Sequence, residues 1–216
     1  RAEGVDVTNS ASLARAFDSH VAEAGALSLV VNNAGIAERG DMFEEGAEAK
    51  CNWRKVVEVD LTALIDGTIL AVKAMKRLKQ GGGNIVNVAS AGALFPMPFQ
   101  PAYAAAKAGV VHFTNSCSDL ADDSEVPIAV RALCPQFVDT ALVRSTMEGL
   151  GDDVATALIA ETGGMLLTTE TVAKACMSLI TDPTAKTETT TLLITNGKAG
   201  NMWWPPKRKK APRSKM

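Results

Sequence analysis

Short apolar runs alternate with segments of helical period along most of the chain, and this alternation limits the possible folds more than any other feature. Leu27–Val31 is a continuous apolar run, which is typical of a parallel strand buried on both faces. The segment before it has apolar residues at helical spacing, with Asn9 or Ser10 as a cap, and Gly25 ends it. A strand-like piece, Val5–Thr8, precedes that helix. Strand, helix and strand in this order predict a βαβ unit with a right-handed crossover.

The rest of the chain continues the alternation. A long helix is predicted from Asn52 to about Lys79, where apolar residues recur with the helical period. Pro101 suits the start of a second long helix, because the N–H that proline lacks would have no partner there. Residues 36–51 are predicted as a surface loop, and residues 141–167 as helical pieces broken by glycine. The remaining predicted elements are strands over 84–89, 127–134 and 190–195 and a helix over 168–180. An α/β domain with a parallel sheet therefore fits the whole pattern.

The composition suits one domain, or one domain and a tail. The chain has 216 residues, 47% of them apolar and 21% charged, so it can bury a sizeable core. Its net charge of −2 gives no general argument for nucleic-acid binding, and its apolar runs are too short for a membrane span. The cysteines form no C-x-x-C pair and no metal-binding spacing with histidine, so we expect no metal site and core thiols in a reducing compartment: Cys51, Cys117, Cys134 and Cys176.

Three residues between 90 and 107 indicate acid–base chemistry. Ser90 ends the predicted strand 84–89, Tyr103 follows it by thirteen positions, and Lys107 lies one helical turn further on the same face. A nearby lysine cation lowers the pKa of a phenol, which makes tyrosine a usable proton donor or acceptor. A serine hydroxyl can orient a substrate oxygen. A tyrosine and a lysine at this spacing also occur by chance on ordinary helices, so the pair gains meaning only from other motifs.

A second motif supports the assignment of the Tyr103–Lys107 pair to a functional site. Asn32-Asn33-Ala34-Gly35 follows the strand Leu27–Val31, at the strand end where α/β sheets bind ligands. Together with Ser90 and the Tyr103–Lys107 pair, it resembles the short-chain dehydrogenase/reductase family over residues 2–197. The resemblance implies a Rossmann-type, doubly wound parallel sheet with helices on both faces. It also implies an NAD(P)-dependent oxidoreductase that acts on a small-molecule secondary alcohol or ketone, and a homo-oligomer.

The resemblance also assigns roles to individual residues. The implied catalytic residues are Ser90, Tyr103, Lys107 and Asp60. Asp60 occupies the position of an asparagine whose backbone carbonyl relays protons to the lysine. Gln136 replaces the glycine of the family's Pro-Gly-x-x-x-Thr segment. Residues 141–167 correspond to the segment that covers the substrate. The implied cofactor-binding residues are Asp6, Val7, Asn33, Ala34, Gly35, Tyr103, Lys107, Pro135, Val138 and Thr140, and the implied substrate contacts are Ser90, Gln100 and Phe137.

Within the family, three stretches most resemble 15-hydroxyprostaglandin dehydrogenase-like members: Ile65–Thr68, Gln100–Tyr103 and Cys134–Val138. This favours NAD over NADP, without deciding between them, and suggests a lipid-like hydroxy compound as substrate. No G-x-x-x-G-x-G loop precedes Asn32, so we expect the sequence to lack the family's first strands and glycine-rich loop at its N-terminus. A rival hypothesis follows from that expectation: an inactive remnant that acts only as an interaction or oligomerisation module.

The composition changes near the C-terminus. Residues 1–200 are predicted as the Rossmann-type domain and residues 201–216 as a basic tail. The final tripeptide, Ser214–Met216, resembles a peroxisomal address with Met in place of Leu. The basic cluster Lys207–Lys210 suits a nuclear signal or a solvated chain end equally well. The tail therefore indicates a peroxisomal or cytoplasmic protein.

Overall fold

Five strands form a single sheet in the part of the chain that the structure describes. The structure is a computed structural model, and it describes residues 4–46, 50–161, 164–181 and 191–195, together with the backbone of 202–204. The strands are β1 (Leu29–Asn32), β2 (Gly83–Val88), β3 (Ile128–Pro135), β4 (Thr191–Ile194) and β5 (Met202–Trp204). They lie side by side in chain order; the first four are parallel and β5 is antiparallel to β4. The predicted α/β parallel sheet is confirmed.

Seven α-helices join and cover these strands within the described residues. They are α1 (Ser10–Ala24), α2 (Trp53–Val57), α3 (Ala63–Leu78), α4 (Pro101–Ser116), α5 (Ala141–Leu150), α6 (Asp152–Glu161) and α7 (Thr169–Thr181). A π-helical turn, Glu58–Thr62, joins α2 to α3. The long helix predicted from Asn52 to Lys79 is therefore present, but it contains this wider turn. Such π-turns occur often at functional sites, because the extra residue redirects side chains locally.

The core lies on both faces of the sheet, as a doubly wound fold requires. Alternate residues of β3 point to opposite faces. Ala132 and Cys134 belong to the cluster that includes Val110 and Val111 of α4, whereas Leu133 belongs to the cluster of α7. A third cluster joins α3 to the inner positions of β2 and β3. Each side of the sheet thus has its own apolar layer, and the strand ends between these layers remain open for a site.

A buried polar network links β1 and β2 to the helices above them. The amide nitrogen of Asn32 donates to Asn87 Oδ1 at 2.8 Å and to Thr68 Oγ1 at 3.1 Å. Asn87 in turn donates to Thr114 Oγ1 at 3.0 Å. The side chains of Asn32 and Asn87 thus tie two neighbouring strands together. The network also explains Gly67, because a Cβ there would lie 2.5 Å from Asn32 Oδ1.

Two of the predicted strands differ from the structure. Val5–Thr8 is not a strand: the carboxylate of Asp6 accepts hydrogen bonds from N and Oγ1 of Thr8, at 3.0 and 2.7 Å, and folds the chain into a turn. β1 is not buried on both faces, since its pairing in the described sheet is to β2 alone, and Leu29 and Val31 are 38% and 42% exposed. An apolar run shows that a strand is present, but its position in the sheet decides how much of it is buried.

The C-terminal end of the described chain also differs from its prediction. Residues 202–204 were predicted to begin a tail, but they pair with β4 in register Thr191 to Trp204. Lys207–Lys210 and Ser214–Met216 lie outside the described residues. Among the helices that are described, none is both long enough and apolar enough to cross a membrane.

Candidate active site

A cavity of about 870 Å³ opens at the carboxyl ends of β1, β2 and β3. Open α/β sheets bind ligands at this edge, because the strand ends there diverge into loops. Val31 of β1, Val88 of β2 and Pro135 of β3 all contribute to its wall. The four predicted catalytic residues, Ser90, Tyr103, Lys107 and Asp60, line the same cavity.

Ser90 lies just after β2, with extended backbone dihedrals of φ −164° and ψ 159°. Its hydroxyl oxygen accepts a hydrogen bond from the backbone N–H of Gly92 at 3.1 Å, which caps the short 3₁₀ turn Ala91–Ala93. The Ser90 side chain also forms a hydrogen bond with the phenol of Tyr103. The strand end and the cap fix the orientation of this hydroxyl, which points towards the phenol of Tyr103.

Tyr103 and Lys107 lie in the first two turns of α4. Pro101 occupies the first helical position, as the sequence predicted. The ammonium nitrogen of Lys107 lies 5.6 Å from the centroid of the Tyr103 ring, in a cation–π contact that the i, i+4 spacing allows. Three residues from a strand end and one helix therefore meet at one place.

Lys107 forms a buried ion pair with Asp60. Its Nζ lies 3.2 Å from Asp60 Oδ2 and donates to the backbone oxygen of Val88 at 3.1 Å. Asp60 is fully buried in the π-helical turn, and its Oδ1 accepts from the N–H of Ile36 at 2.9 Å. The resemblance gave Asp60 a role through its backbone carbonyl. The structure shows instead that its side chain is the part that contacts the lysine.

The pKa of Tyr103 is raised to about 12. Burial of the phenol is the largest cause; the hydrogen bond from Ser90 lowers the pKa, and the negative charge of Asp60 raises it. The expectation that Lys107 would lower the pKa of Tyr103 is therefore wrong for this structure. Asp60 offsets the lysine charge, and the loss of hydration then dominates. Burial also raises the pKa of Asp60 itself, against the opposing effect of Lys107.

The segment after β3 forms the opposite wall of the cavity. The N–H of Gln136 donates to the backbone oxygen of Ile194 at 3.0 Å, which fixes this corner to β4. The Oε1 atom of Gln136 is buried without a hydrogen-bond partner. Thr140 caps α5 by accepting from Val143 N at 3.4 Å, and its hydroxyl donates to Val138 O at 3.3 Å. The backbone of this corner is thus set by hydrogen bonds within the protein.

Comparison with known proteins now bears on this arrangement. A family model described as short chain dehydrogenase matches residues 2–151. The chain belongs to the short-chain dehydrogenase family.

Individual relatives agree with this assignment. The chain is 37% identical over 180 residues to cis-4-hydroxycyclohexanecarboxylate dehydrogenase of Sinomonas cyclohexanicum, covering 82% of this chain and 68% of the relative. It is 34% identical over 141 residues to human 15-hydroxyprostaglandin dehydrogenase [NAD(+)], covering 65% of this chain and 49% of the relative. The chain therefore spans about half the length of the prostaglandin dehydrogenases it matches. Among solved structures, an actinorhodin polyketide ketoreductase variant with NADPH superposes with a TM-score of 0.78 at 30% identity, over 90% of this chain and 76% of the other.

The structure brings most of the predicted site residues of this family member together, but not all of them. Those that line the cavity are Asn33, Gly35, Asp60, Ser90, Gln100, Tyr103, Lys107, Pro135, Phe137, Val138 and Thr140. Asp6, Val7 and Ala34 are not among the lining residues. The carboxylate of Asp6 is bonded to Thr8, and those bonds lower its pKa. These three assignments as cofactor-binding residues stay predictions.

One charged residue that contacts two cavity-lining residues was missed from the sequence. Glu38 lies in the segment predicted as a surface loop, yet it is 6% exposed, and its carboxylate reaches the start of α4. No local pattern distinguishes it from the other acidic residues of that segment, because its partner is 65 positions away. Among the residues that the structure describes, no group of three His, Cys, Asp or Glu side chains could hold a metal ion.

Proposed function

We propose that the protein transfers a hydride between a nicotinamide cofactor and a secondary alcohol or ketone, with Ser90, Tyr103 and Lys107 as its catalytic residues. One observation carries this proposal. Ser90 is hydrogen-bonded to the phenol of Tyr103, Lys107 lies beside the same ring, and all three line one cavity at the strand ends. Proton transfer at a substrate oxygen needs such a pairing of a titratable group with an orienting hydroxyl.

Tyr103 is the proton-transferring group in this proposal. Its pKa of about 12 keeps the phenol protonated at neutral pH, so it can donate a proton to a carbonyl oxygen during reduction. Alcohol oxidation needs the reverse transfer, so we expect it to become faster as the pH rises. Ser90 orients the substrate oxygen towards the phenol. Lys107 keeps a cation beside the ring, and Asp60 holds that cation in place.

Several residues that line the cavity fit the nicotinamide part of the cofactor. A Cβ at Gly35 would lie 3.1 Å from Asp60 Oδ2 and 3.5 Å from Lys107 Nζ, so glycine keeps this approach to the ion pair open. Asn33, Lys107, Pro135, Val138 and Thr140 would hold the group there. The nicotinamide supplies the hydride acceptor or donor. NAD is our first choice, since the human relative is named for NAD(+); the ketoreductase structure contains NADPH, so both belong in the test.

The cavity also suits an apolar substrate. Its wall contains aromatic, methionine and aliphatic side chains from the loop after Ser90, from the β3 corner and from α5: Phe95, Met97, Phe99, Phe137, Leu142 and Val143. Apolar walls with a few polar groups are typical of small-molecule sites. The names of the relatives include an alicyclic hydroxy acid and a hydroxylated prostaglandin. We therefore propose an alicyclic or lipid-like secondary alcohol as substrate.

Assembly and location are proposed on fewer observations. Ile69 on α3 is 42% exposed, and Ala105 and Ala108 are exposed on α4, so these two helices offer a small-residue, partly apolar surface for a second copy. A homo-oligomer through this surface would be seen by light scattering of the purified protein.

A peroxisomal address at Ser214–Met216 would be tested by localising the protein with and without its last residue.

The test of the proposed reaction uses purified protein with NAD⁺ or NADP⁺ and three alcohols: cis-4-hydroxycyclohexanecarboxylate, cyclohexanol and a 15-hydroxyprostaglandin. We expect reduction of the cofactor, seen as absorbance at the wavelength of the reduced nicotinamide, with at least one alcohol. Ser90→Ala should remove most of this activity, whereas Ser124→Ala, at an exposed serine outside the cavity lining, should not. No reduction of either cofactor with any of the alcohols, at neutral or alkaline pH, would contradict the proposal.

A further inference from the structure

The carboxylate of Glu38 forms a long-range contact with the helix that carries the proposed catalytic pair. Glu38 lies after β1, in the connection to α2, and it is buried although the next two residues, Arg39 and Gly40, are exposed. Its Oε2 accepts a hydrogen bond from the backbone N–H of Tyr103 at 2.9 Å. A carboxylate is seldom buried unless its charge is matched by a specific donor, and here the donor is the first turn of α4.

The first turn of α4 lacks a cap of its own. Gln100 is the N-cap residue, and its side chain makes no capping hydrogen bond. Pro101 has no N–H, so the orphan donors that remain include the N–H of Tyr103. Glu38 supplies both the missing acceptor and a negative charge at the positive end of a 16-residue helix. It therefore performs from a distant loop the function that a local N-cap usually performs.

A second bond links Glu38 to the cavity wall. The backbone oxygen of Glu38 accepts from Nε2 of Gln100 at 3.1 Å. The same nitrogen donates to Oγ1 of Thr146 on α5 at 3.3 Å. Gln100 and Thr146 both line the cavity. Gln100 thus links the backbone of Glu38 to α5, and Glu38 supports the residue that makes this link.

The backbone on both sides of Glu38 is itself fixed. Ile36 donates to Asp60 at 2.9 Å, so the preceding residues are tied to the buried ion pair. Asn52 donates to the oxygen of Ala37 at 3.0 Å and accepts from the N–H of Arg39 at 2.7 Å. Glu38 therefore stands between two anchored neighbours, and its carboxylate can serve as a rigid support.

We propose that Glu38 is a positioning residue: it holds the first turn of α4, and with it Tyr103 and Gln100, in the geometry that the reaction needs. The inference rests on the proposed function for its catalytic consequence. Without the carboxylate, the N–H of Tyr103 loses its buried partner and the first turn can shift. A displacement of the order of 1 Å at a reacting group can lower the rate by up to about 100-fold.

The kinetic test compares Glu38→Ala, Glu38→Gln and Glu44→Ala, with cis-4-hydroxycyclohexanecarboxylate and NAD⁺ as substrates. Glu44 is an exposed acidic residue of the same loop, so its variant is the matched control. We expect Glu38→Ala to lower kcat by about 10- to 100-fold while KM for NAD⁺ stays within about twofold, because the cofactor contacts remain. Glu38→Gln keeps an acceptor without the charge and should recover part of the loss. Equal kcat values for Glu38→Ala and Glu44→Ala would overturn the proposal.

Amide hydrogen exchange gives a readout that does not depend on turnover. We expect the amide of Tyr103 to exchange at least about tenfold faster in Glu38→Ala than in Glu44→Ala, since a bond to a charged acceptor is lost. Unchanged exchange would overturn the proposal even if the wild type is active. An inactive wild type whose Tyr103 exchange depends on Glu38 would instead contradict the proposed function alone. If the alanine variant does not fold, Glu38→Met, which keeps the side-chain length and lacks the oxygens, takes its place with the same expected results.

Discussion

The Asp60 carboxylate and the Lys107 ammonium form a buried ion pair, 3.2 Å apart, in the wall of the cavity. The pair makes the lysine a compensated cation, so its field at the phenol of Tyr103 is weaker than that of a lone lysine. It also ties the segment after β1 to α4, because the other carboxylate oxygen accepts from Ile36. A change at Asp60 should therefore affect both stability and the acid–base behaviour of the site.

We expect Asp60→Asn to lower the free energy of unfolding by about 3 kcal/mol, since it leaves the buried lysine charge without its counter-charge. Glu58→Gln is the matched control. It lies in the same π-helical turn, but its ion pair with Lys55, at 3.1 Å, is half exposed, so a loss below about 1 kcal/mol is expected. Urea unfolding of both variants measures the difference, and equal losses would show that the buried pair contributes no more than the exposed one.

The same variant tests whether the carboxylate takes part in turnover. Asparagine can still accept from Ile36, and removing the negative charge takes away one cause that raises the pKa of Tyr103. Alcohol oxidation by Asp60→Asn at neutral pH should therefore be unchanged or faster per folded molecule. A loss of about 100-fold, the lower range for a positioned acid–base group, would mean that the carboxylate itself transfers protons.

The chain has one tyrosine, so the ionisation of Tyr103 can be followed directly by tyrosinate absorbance. Its pKa is raised from the ordinary 10.0 to about 12, so folding favours the protonated phenol. This stabilisation is complete below pH 10 and is lost as the pH rises through about 12. At pH 11 the native phenol should be about nine-tenths protonated, and denaturant should make it about nine-tenths ionised. A native spectrum at pH 11 that already shows full tyrosinate absorbance would contradict the shift.

The parts of the site that the sequence predicted are those fixed by local spacing. Ser90 follows a strand, and Tyr103 and Lys107 share a helical face, so periodicity alone places them on adjoining elements. The contacts of Glu38 and the side chain of Asp60 could not be predicted in this way. They join residues far apart in the chain, and their direction depends on how the loop after β1 and the π-helical turn pack.

In the fold, too, local features were predicted and features that depend on long-range packing were not. The apolar runs predicted β1 to β4 within two residues at each end, because a run of this kind has few other uses in an α/β chain. The prediction that β1 is buried on both faces was wrong, because the burial of a strand depends on its position in the sheet. The turn at Asp6 was missed because two hydrogen bonds from Thr8 to the Asp6 carboxylate overrode the β-propensity of the valines around it.

Gly67 tests the polar network above β1. A Cβ there would lie 2.5 Å from Asn32 Oδ1, so Gly67→Ala should push Asn32 away from Asn87 and Thr68 and leave buried polar groups unpaired. We expect a loss of about 1–3 kcal/mol in the free energy of unfolding. Gly149→Ala on α5 is the control: nothing lies within 4 Å of its Cβ, and alanine should stabilise the helix slightly. Equal effects of the two substitutions would contradict the role assigned to the network.

Tyr103→Phe removes a single oxygen from the proposed active site. The ring can still pack beside Lys107, since their contact is to the ring face, so the fold and cofactor binding should persist. Turnover should be abolished in both directions, because the hydroxyl is the group that exchanges a proton with the substrate oxygen. The rate of NAD⁺ reduction is measured together with cofactor binding by calorimetry. Phe113→Tyr, which adds a hydroxyl on the same helix outside the cavity lining, is the control for the effect of a substitution in α4 as such. Activity of Tyr103→Phe within a few-fold of the wild type would remove Tyr103 from the proposed mechanism and leave Ser90 and Lys107 without the proton donor that they are placed to serve.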